Sequence, residues 1–322
     1  MNWPPTLSLG ELGGTGLAVT PICFGTSPLA SMAQLYGYAV EEERAVATVL
    51  AVFNSPVNFL DTSNGYGDDG TAERRIGEAI RRAGELPSHV VLATKVDPDP
   101  RTGDFSADRV RVSLEESMER LGIDKIALLH LHDPERMSFE EGVAPGGPVE
   151  ALVDLREQGP VEHLGVAGGP VGLLQQYLDT GEFEVVLSHN RYTLLDRSAE
   201  PLLQSAADRG LGVLNAAPYG GGMLSKGPSV QQNYAYGSRD DRIREAAEAM
   251  EAACRRYGVP LAAAALQFSM RSEMIDSTVV GVSSPERITQ TLELAAVTIP
   301  DELWPELERL TPPQELWLYC VV

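Results

Sequence analysis

Cysteine is scarce in this chain. Cys23, Cys254 and Cys320 are the only three, and they lie far apart. No C-x-x-C pair occurs, so the spacing offers neither a zinc site nor a disulfide framework. Three reduced thiols in a cytoplasmic protein are the expectation. Positive charge is scarce as well: 25 Lys and Arg face 46 Asp and Glu, a formal net charge of −21. Nucleic-acid binding rests on a basic surface, so that function class is excluded, and anionic membranes would repel the chain. Any anionic ligand must be held by local donors against this field. Long apolar runs are missing too, and the start M-N-W-P-P-T-L has neither a basic nor an apolar leader region. No membrane span or signal peptide is expected.

What remains is a chain of 322 residues, 43% hydrophobic and 22% charged, a composition that supports a large core. Short runs rich in Val, Ile and Leu alternate with longer amphipathic segments, the pattern of repeated βα units. Strands are expected at 21–26, 57–63, 90–96, 126–132, 163–168, 184–189, 212–218 and 277–282. The helices between and after them are expected at 41–53, 71–83, 107–121, 149–157, 171–178, 201–209, 241–257, 260–271 and 285–294. Eight strand–helix units in a row fit a closed (β/α)8 barrel better than an open sheet. The segment 6–20, with Gly13-Gly14 near its turn, reads as a hairpin under the barrel, and 301–310 as an extra C-terminal helix. No linker divides residues 1–322, so one domain is expected. The longest irregular stretch, 219–239, follows the seventh strand and is expected to be functional.

Active sites of such barrels lie at the C-terminal ends of the strands. That rule alone selects Asp61 with Tyr66 just beyond it, Lys95, and His132. Their chemistry is coherent. A tyrosine titrates near pH 10, too high for easy proton exchange, and a neighbouring ammonium favours its phenolate. Lys95 would supply that ammonium, Asp61 would hold it, and His132 would hydrogen-bond the substrate oxygen, giving a set that moves a proton during redox chemistry. Each residue also has an ordinary reading: a strand-end cap for Asp61, a turn aromatic for Tyr66, a solvated lysine, a structural histidine. The case rests on three consecutive strand ends supplying all four.

The segments F-L-D-T-S-N-G-Y-G, E-R-R-I-G-E-A-I, A-T-K-V and L-E-E-S-M-E-R-L-G-I-D-K-I-A-L-L-H-L-H-D-P, in this order, resemble the aldo-keto reductase family. The resemblance runs from P-I-C-F-G-T to V-V-G-V-S-S-P-E-R-I. It implies an NAD(P)-dependent oxidoreductase whose catalytic Asp, Tyr, Lys and His are Asp61, Tyr66, Lys95 and His132. The H-D-P after strand four and R-Y-T-L-L-D-R at 191–197 are similar to the D-threo-aldose 1-dehydrogenase and L-fucose dehydrogenase branch, implying oxidation of a sugar at C1 to its lactone. Reduction of aldehydes or ketones with NADPH is the alternative on the same scaffold.

The resemblance also implies cofactor contacts. Gly168 would lie near the carboxamide, with Asn190 or His189 supplying its side-chain bonds, because Ala167-Gly168 replaces the family's Ser-Asn pair. Tyr192 would lie near the nicotinamide ring. Ala217, Pro218, Tyr219, Gly220 and Leu224 would flank the pyrophosphate, where small residues let N–H groups approach phosphate; a hinge is the plainer reading of Gly220–Gly222. Gly281, Ser283 and Arg287 would lie at the adenine end. There the family's Lys-Ser is replaced by Gly281-Val282, and Gln290-Thr291 stands for Glu-Asn. Arg287 is retained, so use of NADP, NAD or both is expected. Trp3, Tyr36, Tyr38, Tyr234 and Tyr236 are candidates to stack on a sugar, and the tail L-W-L-Y-C-V-V to cover the barrel mouth or a partner. Two rivals belong to other classes. His130 and His132, on one face of a strand at i and i+2, together with His189, would suit a metal-dependent hydrolase. A cofactor-binding regulator without turnover is the other.

Overall fold

The computed structural model describes residues 7–235, 237 and 240–318. Ten strands are defined in it. β1 (Gly10–Glu11) and β2 (Ala18–Val19) pair antiparallel as the hairpin. The other eight are β3 (Ile22–Gly25), β4 (Phe59–Asp61), β5 (Val91–Val96), β6 (Ile126–His132), β7 (Val161–Gly168), β8 (Val185–His189), β9 (Gly212–Ala216) and β10 (Ser277–Gly281). They pair in parallel, in chain order, and β10 returns to β3 to close the barrel. The expected helices form at Glu42–Phe53, Thr71–Ala83, Ala107–Leu121, Pro148–Gln158, Val171–Asp179, Glu200–Asp208, Asp241–Arg256, Leu261–Met270 and Pro285–Ala295. The C-terminal helix spans Leu303–Arg309.

Two apolar layers build the structure. Strand residues facing outward, such as Phe24, Leu60, Leu129 and Val186, pack against the helices. Their neighbours face inward: Cys23, Phe59, Ala93, Leu128, Leu187, Leu214 and Val279 fill the barrel. Leu12, fully buried, reaches this inner cluster from the hairpin and plugs the bottom. The fit demands glycine. A Cβ on Gly13 (φ +52°) would lie 2.2 Å from the Gly212 nitrogen. Asp276 ties plug to barrel by accepting N–H groups of Gly13 (3.2 Å) and Val213 (2.8 Å).

The alternation that fills the barrel below carries polar groups above. Along β4, β5, β6 and β8 the inward series ends in Asp61, Lys95, His132 and His189, and β5 pairs with β6 so that Lys95 is opposite His130. Three residues just past strand ends have left-handed backbone: Asp133 (φ +41°), Asn190 (φ +60°) and Ala217 (φ +56°). Such residues are uncommon outside glycine and concentrate at functional sites.

The stretch 219–239 is less irregular than its sequence suggests. Gly220, Gly221 and Gly222 are all left-handed and lead into a short helix, Met223–Lys226. Tyr234 is buried behind them, and a Cβ on Gly220 would meet its ring at 2.2 Å. Gly220 and Gly221 of the Gly-Gly-Gly run thus sit in a packed turn. Leu318 N–H donates to Asp196 Oδ2 (2.8 Å) and Trp317 Nε1 to the Pro312 carbonyl (2.9 Å), so the start of the tail lies against the chain's own loop after β8. Trp3, Tyr236, Cys320 and residues 319–322 of the tail lie outside the described residues.

Candidate active site

Asp61, at the last position of β4, and Lys95, near the end of β5, are both almost fully buried. The Lys95 ammonium donates to Asp61 Oδ1 and Oδ2 (2.7 Å each), to the Thr62 carbonyl (2.6 Å) and to Tyr66 Oη (3.3 Å). A buried ammonium needs such a full set of acceptors to remain charged. Asp61 is thus no strand-end cap, and Lys95 is not solvated.

Tyr66 is placed by the loop that follows β4. Asn64 anchors it to the helix Ala107–Leu121, donating to the Ser113 carbonyl (3.0 Å) and accepting from Arg109 Nη2 (3.1 Å). Gly67 is left-handed (φ +83°) and passes so near Ala30 that a Cβ would lie 2.6 Å from its carbonyl oxygen. The Tyr66 ring meets the His132 ring edge-on, centroids 5.6 Å apart and planes at 80°.

One participant went unread in the sequence. Asp97 lies one residue beyond β5, two after Lys95 and so on the same face. It is only 6% exposed. Its Oδ1 lies 2.7 Å from His132 Nδ1, and its Oδ2 accepts the Gly65 N–H (2.7 Å) and the Ser63 hydroxyl. Ser63 Oγ also touches His132 Nδ1 (3.0 Å). Burial pushes the Asp97 carboxyl up, but the His132 charge and these donors outweigh it and hold it down at about 2. Burial likewise disfavours the His132 cation, and Asp97, with help from Asp133, raises its pKa in spite of that. The signal available in sequence was the Lys95-x-Asp97 spacing.

His130 is fully buried inside the barrel, and neither ring nitrogen has a partner among the described residues. Burial, with Lys95 nearby, holds it neutral. Among the described residues no cluster of three or more His, Cys, Asp or Glu side chains is placed to hold a metal ion.

The residues expected at the cofactor divide into two groups. Just beyond β8 and β9, buried polar atoms lack partners among the described residues: Asn190 Oδ1, Arg191 Nε and Tyr219 Oη. Unpaired buried groups of this kind are costly and fit a polar ligand that completes them. Gly168 lies beside Glu135 and Pro134, where a Cβ would come within 3.0 Å of Glu135 Oε2. Ala217 and Pro218 continue from β9, Gly220 opens the packed turn, and Leu224 is fully buried beneath it. Across the mouth, a Cβ on Gly281 would lie 2.9 Å from Pro28. Pro28 thus occupies the space a larger residue would need. Ser283 and Ser284 precede the helix Pro285–Ala295, and Arg287 donates to Gln290 Oε1 (3.2 Å).

Tyr192 belongs elsewhere. It is 6% exposed, packs on Phe268 of the helix Leu261–Met270 (centroids 5.0 Å) and reaches Ser272 Oγ at 3.5 Å. Its side chain lies in the layer between barrel and helices, a correction to its expected place at the nicotinamide ring. Tyr234 is likewise interior, donating to the Asn190 carbonyl (2.7 Å), so it cannot stack on a sugar. Tyr36 and Tyr38 remain above β3 with ring centroids 5.9 Å apart; Tyr38 is exposed, and Tyr36 donates to Ser27 Oγ (2.7 Å).

A family model of the aldo/keto reductase family matches residues 21–312. The chain belongs to this family. It is 34% identical to L-galactose dehydrogenase of Arabidopsis thaliana, over 95% of each chain. It is 31% identical to D-threo-aldose 1-dehydrogenase of a Pseudomonas species, over 92% of this chain and 96% of that one. Pyridoxal 4-dehydrogenase of Microbacterium luteolum is 30% identical, over 92% and 95%. The holo form of an aldo-keto reductase from Bacillus halodurans shares the fold, with a TM-score of 0.79 at 21% identity over 95% of this chain and 97% of that one. This family member is an NAD(P)-dependent oxidoreductase. No helix among the described residues is long and apolar enough to cross a membrane.

Proposed function

We propose that the enzyme oxidises an aldose at C1 to the corresponding lactone, with Tyr66 as the base. The observation that carries this reading is the Lys95 ammonium, bonded at once to Asp61 and to Tyr66 Oη. An ammonium 3.3 Å from a phenolic oxygen stabilises negative charge there. Asp61 and the Thr62 carbonyl fix the ammonium, so its position costs little reorganisation during turnover. Tyr66 then takes the proton of the C1 hydroxyl while His132 donates a hydrogen bond to the same oxygen. The oxidised nicotinamide, when bound, supplies the acceptor for the hydrogen and electron pair that leave C1. The sugar thus loses the hydroxyl proton to Tyr66 and a hydride, the C1 hydrogen with its electron pair, to the acceptor, and the C1–O bond becomes the lactone carbonyl.

The residues that would hold the cofactor are Gly168 and Asn190 near the carboxamide, Ala217, Pro218, Tyr219, Gly220 and Leu224 along the pyrophosphate, and Gly281, Ser283 and Arg287 at the adenine end. Arg287 with the two serines suits the 2′-phosphate of NADP, and the absence of the family's lysine leaves NAD acceptable, so both would be used. Oxidation is favoured over reduction because the three relatives described above are all named dehydrogenases, two of them for sugars. Tyr36 and Tyr38 would form the sugar-facing aromatic surface.

The test is reduced-nicotinamide absorbance with NAD or NADP and a panel of L-galactose, L-fucose and D-arabinose. Rapid reduction with one sugar supports the reading. No reduction with any sugar, together with oxidation of NADPH by simple aldehydes, replaces it with carbonyl reduction.

A further inference from the structure

We infer that Asp97 is a positioning residue: its carboxylate clamps the Tyr66 loop to His132 and keeps the imidazole a cation, leaving Nε2 to face the reacting oxygen. The inference deepens the proposed proton chemistry and rests on that reading for its catalytic consequence.

Three partners converge on one buried carboxylate. Oδ1 takes His132 Nδ1–H at 2.7 Å; Oδ2 takes the Gly65 N–H at 2.7 Å and the Ser63 hydroxyl. Gly65 and Ser63 flank the turn that carries Tyr66, so a single side chain ties that loop to His132. The fit is close: a Cβ on Gly65 would fall 2.7–2.9 Å from the Asp97 carboxyl atoms. Asp97 is itself held, its N–H donating to Ser113 Oγ (3.0 Å) and its carbonyl accepting from Arg109 Nε (3.0 Å). A carboxylate with this many donors is pre-set in its charged form.

The groups around His132 decide its charge. Asp97 faces Nδ1, and Asp133 Oδ1 lies 3.7 Å from Nε2. Glu135 adds a weaker anion beyond them. Against these stands Lys95, whose charge is already matched by Asp61. His130 and His189 also face His132, but burial keeps both neutral, His189 at about 4. The Tyr66 ring and the Ser63 hydroxyl complete the surroundings. Two near anions and one neutralised cation favour the imidazolium. In the proposed oxidation the C1 hydroxyl proton passes to Tyr66 Oη, and the imidazolium keeps its own proton while stabilising the charge that builds on the substrate oxygen.

The test has two arms. Ring-labelled histidine spectra of the unmodified enzyme, with only five histidines to assign, follow His132 against pH without any substrate. His132 should titrate above the ordinary value of 6.5, and in Asp97→Asn its midpoint should fall by a pH unit or more. Ser63→Ala, which keeps the carboxylate, should retain the raised midpoint. In the second arm, kcat of Asp97→Asn on whichever substrate the enzyme turns over should drop on the order of tenfold to a hundredfold, with its alkaline limb moved to lower pH and NADPH affinity within about twofold of the parent's. A His132 that titrates at or below 6.5 in the unmodified enzyme overturns the inference. So does an Asp97→Asn enzyme that is slower with an unshifted pH profile, the mark of mere loosening. Failure of every sugar in the panel would sink the sugar reading and leave the histidine titration standing.

Discussion

Replacing Lys95 by Met separates the two tasks the structure gives this side chain, holding the barrel mouth together and charging Tyr66. The methionine fills similar volume but removes the ammonium. Asp61, 3% exposed, then loses the one cationic partner it has among the described residues, at 2.7 Å, and is left beside the Thr62 carbonyl. Removing one member of a buried ion pair costs about 3–5 kcal/mol, mostly from the charge left unpaired. Asp61→Asn in the Lys95→Met background removes that charge and should restore most of the loss, roughly 2–4 kcal/mol. Activity should behave differently. Two unit charges 3.3 Å apart attract by about 5 kcal/mol at an effective dielectric constant of about 20. Even partial loss of that attraction lowers turnover by about a thousandfold, and the second substitution does not bring it back. The assay is a urea midpoint for the parent and both variants, with turnover measured on the same preparations. Equal midpoints for Lys95→Met and the double variant would refute the electrostatic argument, since the cost would then not be the unpaired carboxylate. Recovery of turnover in the double variant would refute the role given to the ammonium.

Tyr66→Phe should abolish most turnover and leave cofactor affinity nearly unchanged, measured by quenching of protein fluorescence; equal turnover would remove Tyr66 as the base. Arg287→Met should raise the KM for NADP by about tenfold and that for NAD little, because only NADP presents a 2′-phosphate to the guanidinium; a uniform change would remove Arg287 from that contact. The Asp97–His132 pair also predicts a pH window for stability. Asp97 is depressed from 3.8 to about 2, so its contribution is present above pH 3.8 and is lost as pH falls through about 2. His132 is raised, so its contribution is complete below 6.5 and disappears as pH rises through its elevated value. The stability gap between parent and Asp97→Asn, on the order of 2 kcal/mol from the Asp97 shift, should therefore be widest between about pH 4 and 6.5 and close towards pH 2. A gap that is flat across this range contradicts the pairing.

The barrel was legible because strands buried on both faces, between the filled interior and the helices, read as short continuous apolar runs, while helices with one buried face carry a 3.6-residue pattern, and the chain alternates the two. Helices came out within a residue or two for the same reason: Thr71–Ala83 and Ala107–Leu121 carry their apolar faces from end to end. The four residues Asp61, Tyr66, Lys95 and His132 could be selected because strand ends are where inward-facing side chains first meet solvent. Tyr192 could not be placed by that rule. Asn190 takes a left-handed backbone immediately after β8, which breaks the alternation, so the residues beyond it no longer follow the strand's phase. Tyr192 therefore turns outward onto Phe268.

Asp97 was missed for the opposite reason. It sits in D-P-D-P-R-T-G-D, a run whose prolines, glycine and acids read as a solvated turn. The alternation of β5 nevertheless persists one residue past its last ladder bond, and that residue points where Lys95 points. Composition described the loop as a whole correctly: Arg101 and Asp104 are exposed. It failed at the start of the run, where Asp97, still in phase with the strand, and Pro98 are buried. A carboxylate two residues beyond a buried strand-end lysine stands on the same wall of the barrel, with room there only for a partner. In this chain the partner comes from the neighbouring strand, where His132 ends β6, and the pairing of Lys95 with His130 in the ladder sets Asp97 beside it. The register of two strands thus dictates which imidazole the carboxylate meets, and through it the charge that the Tyr66 oxygen faces across the mouth.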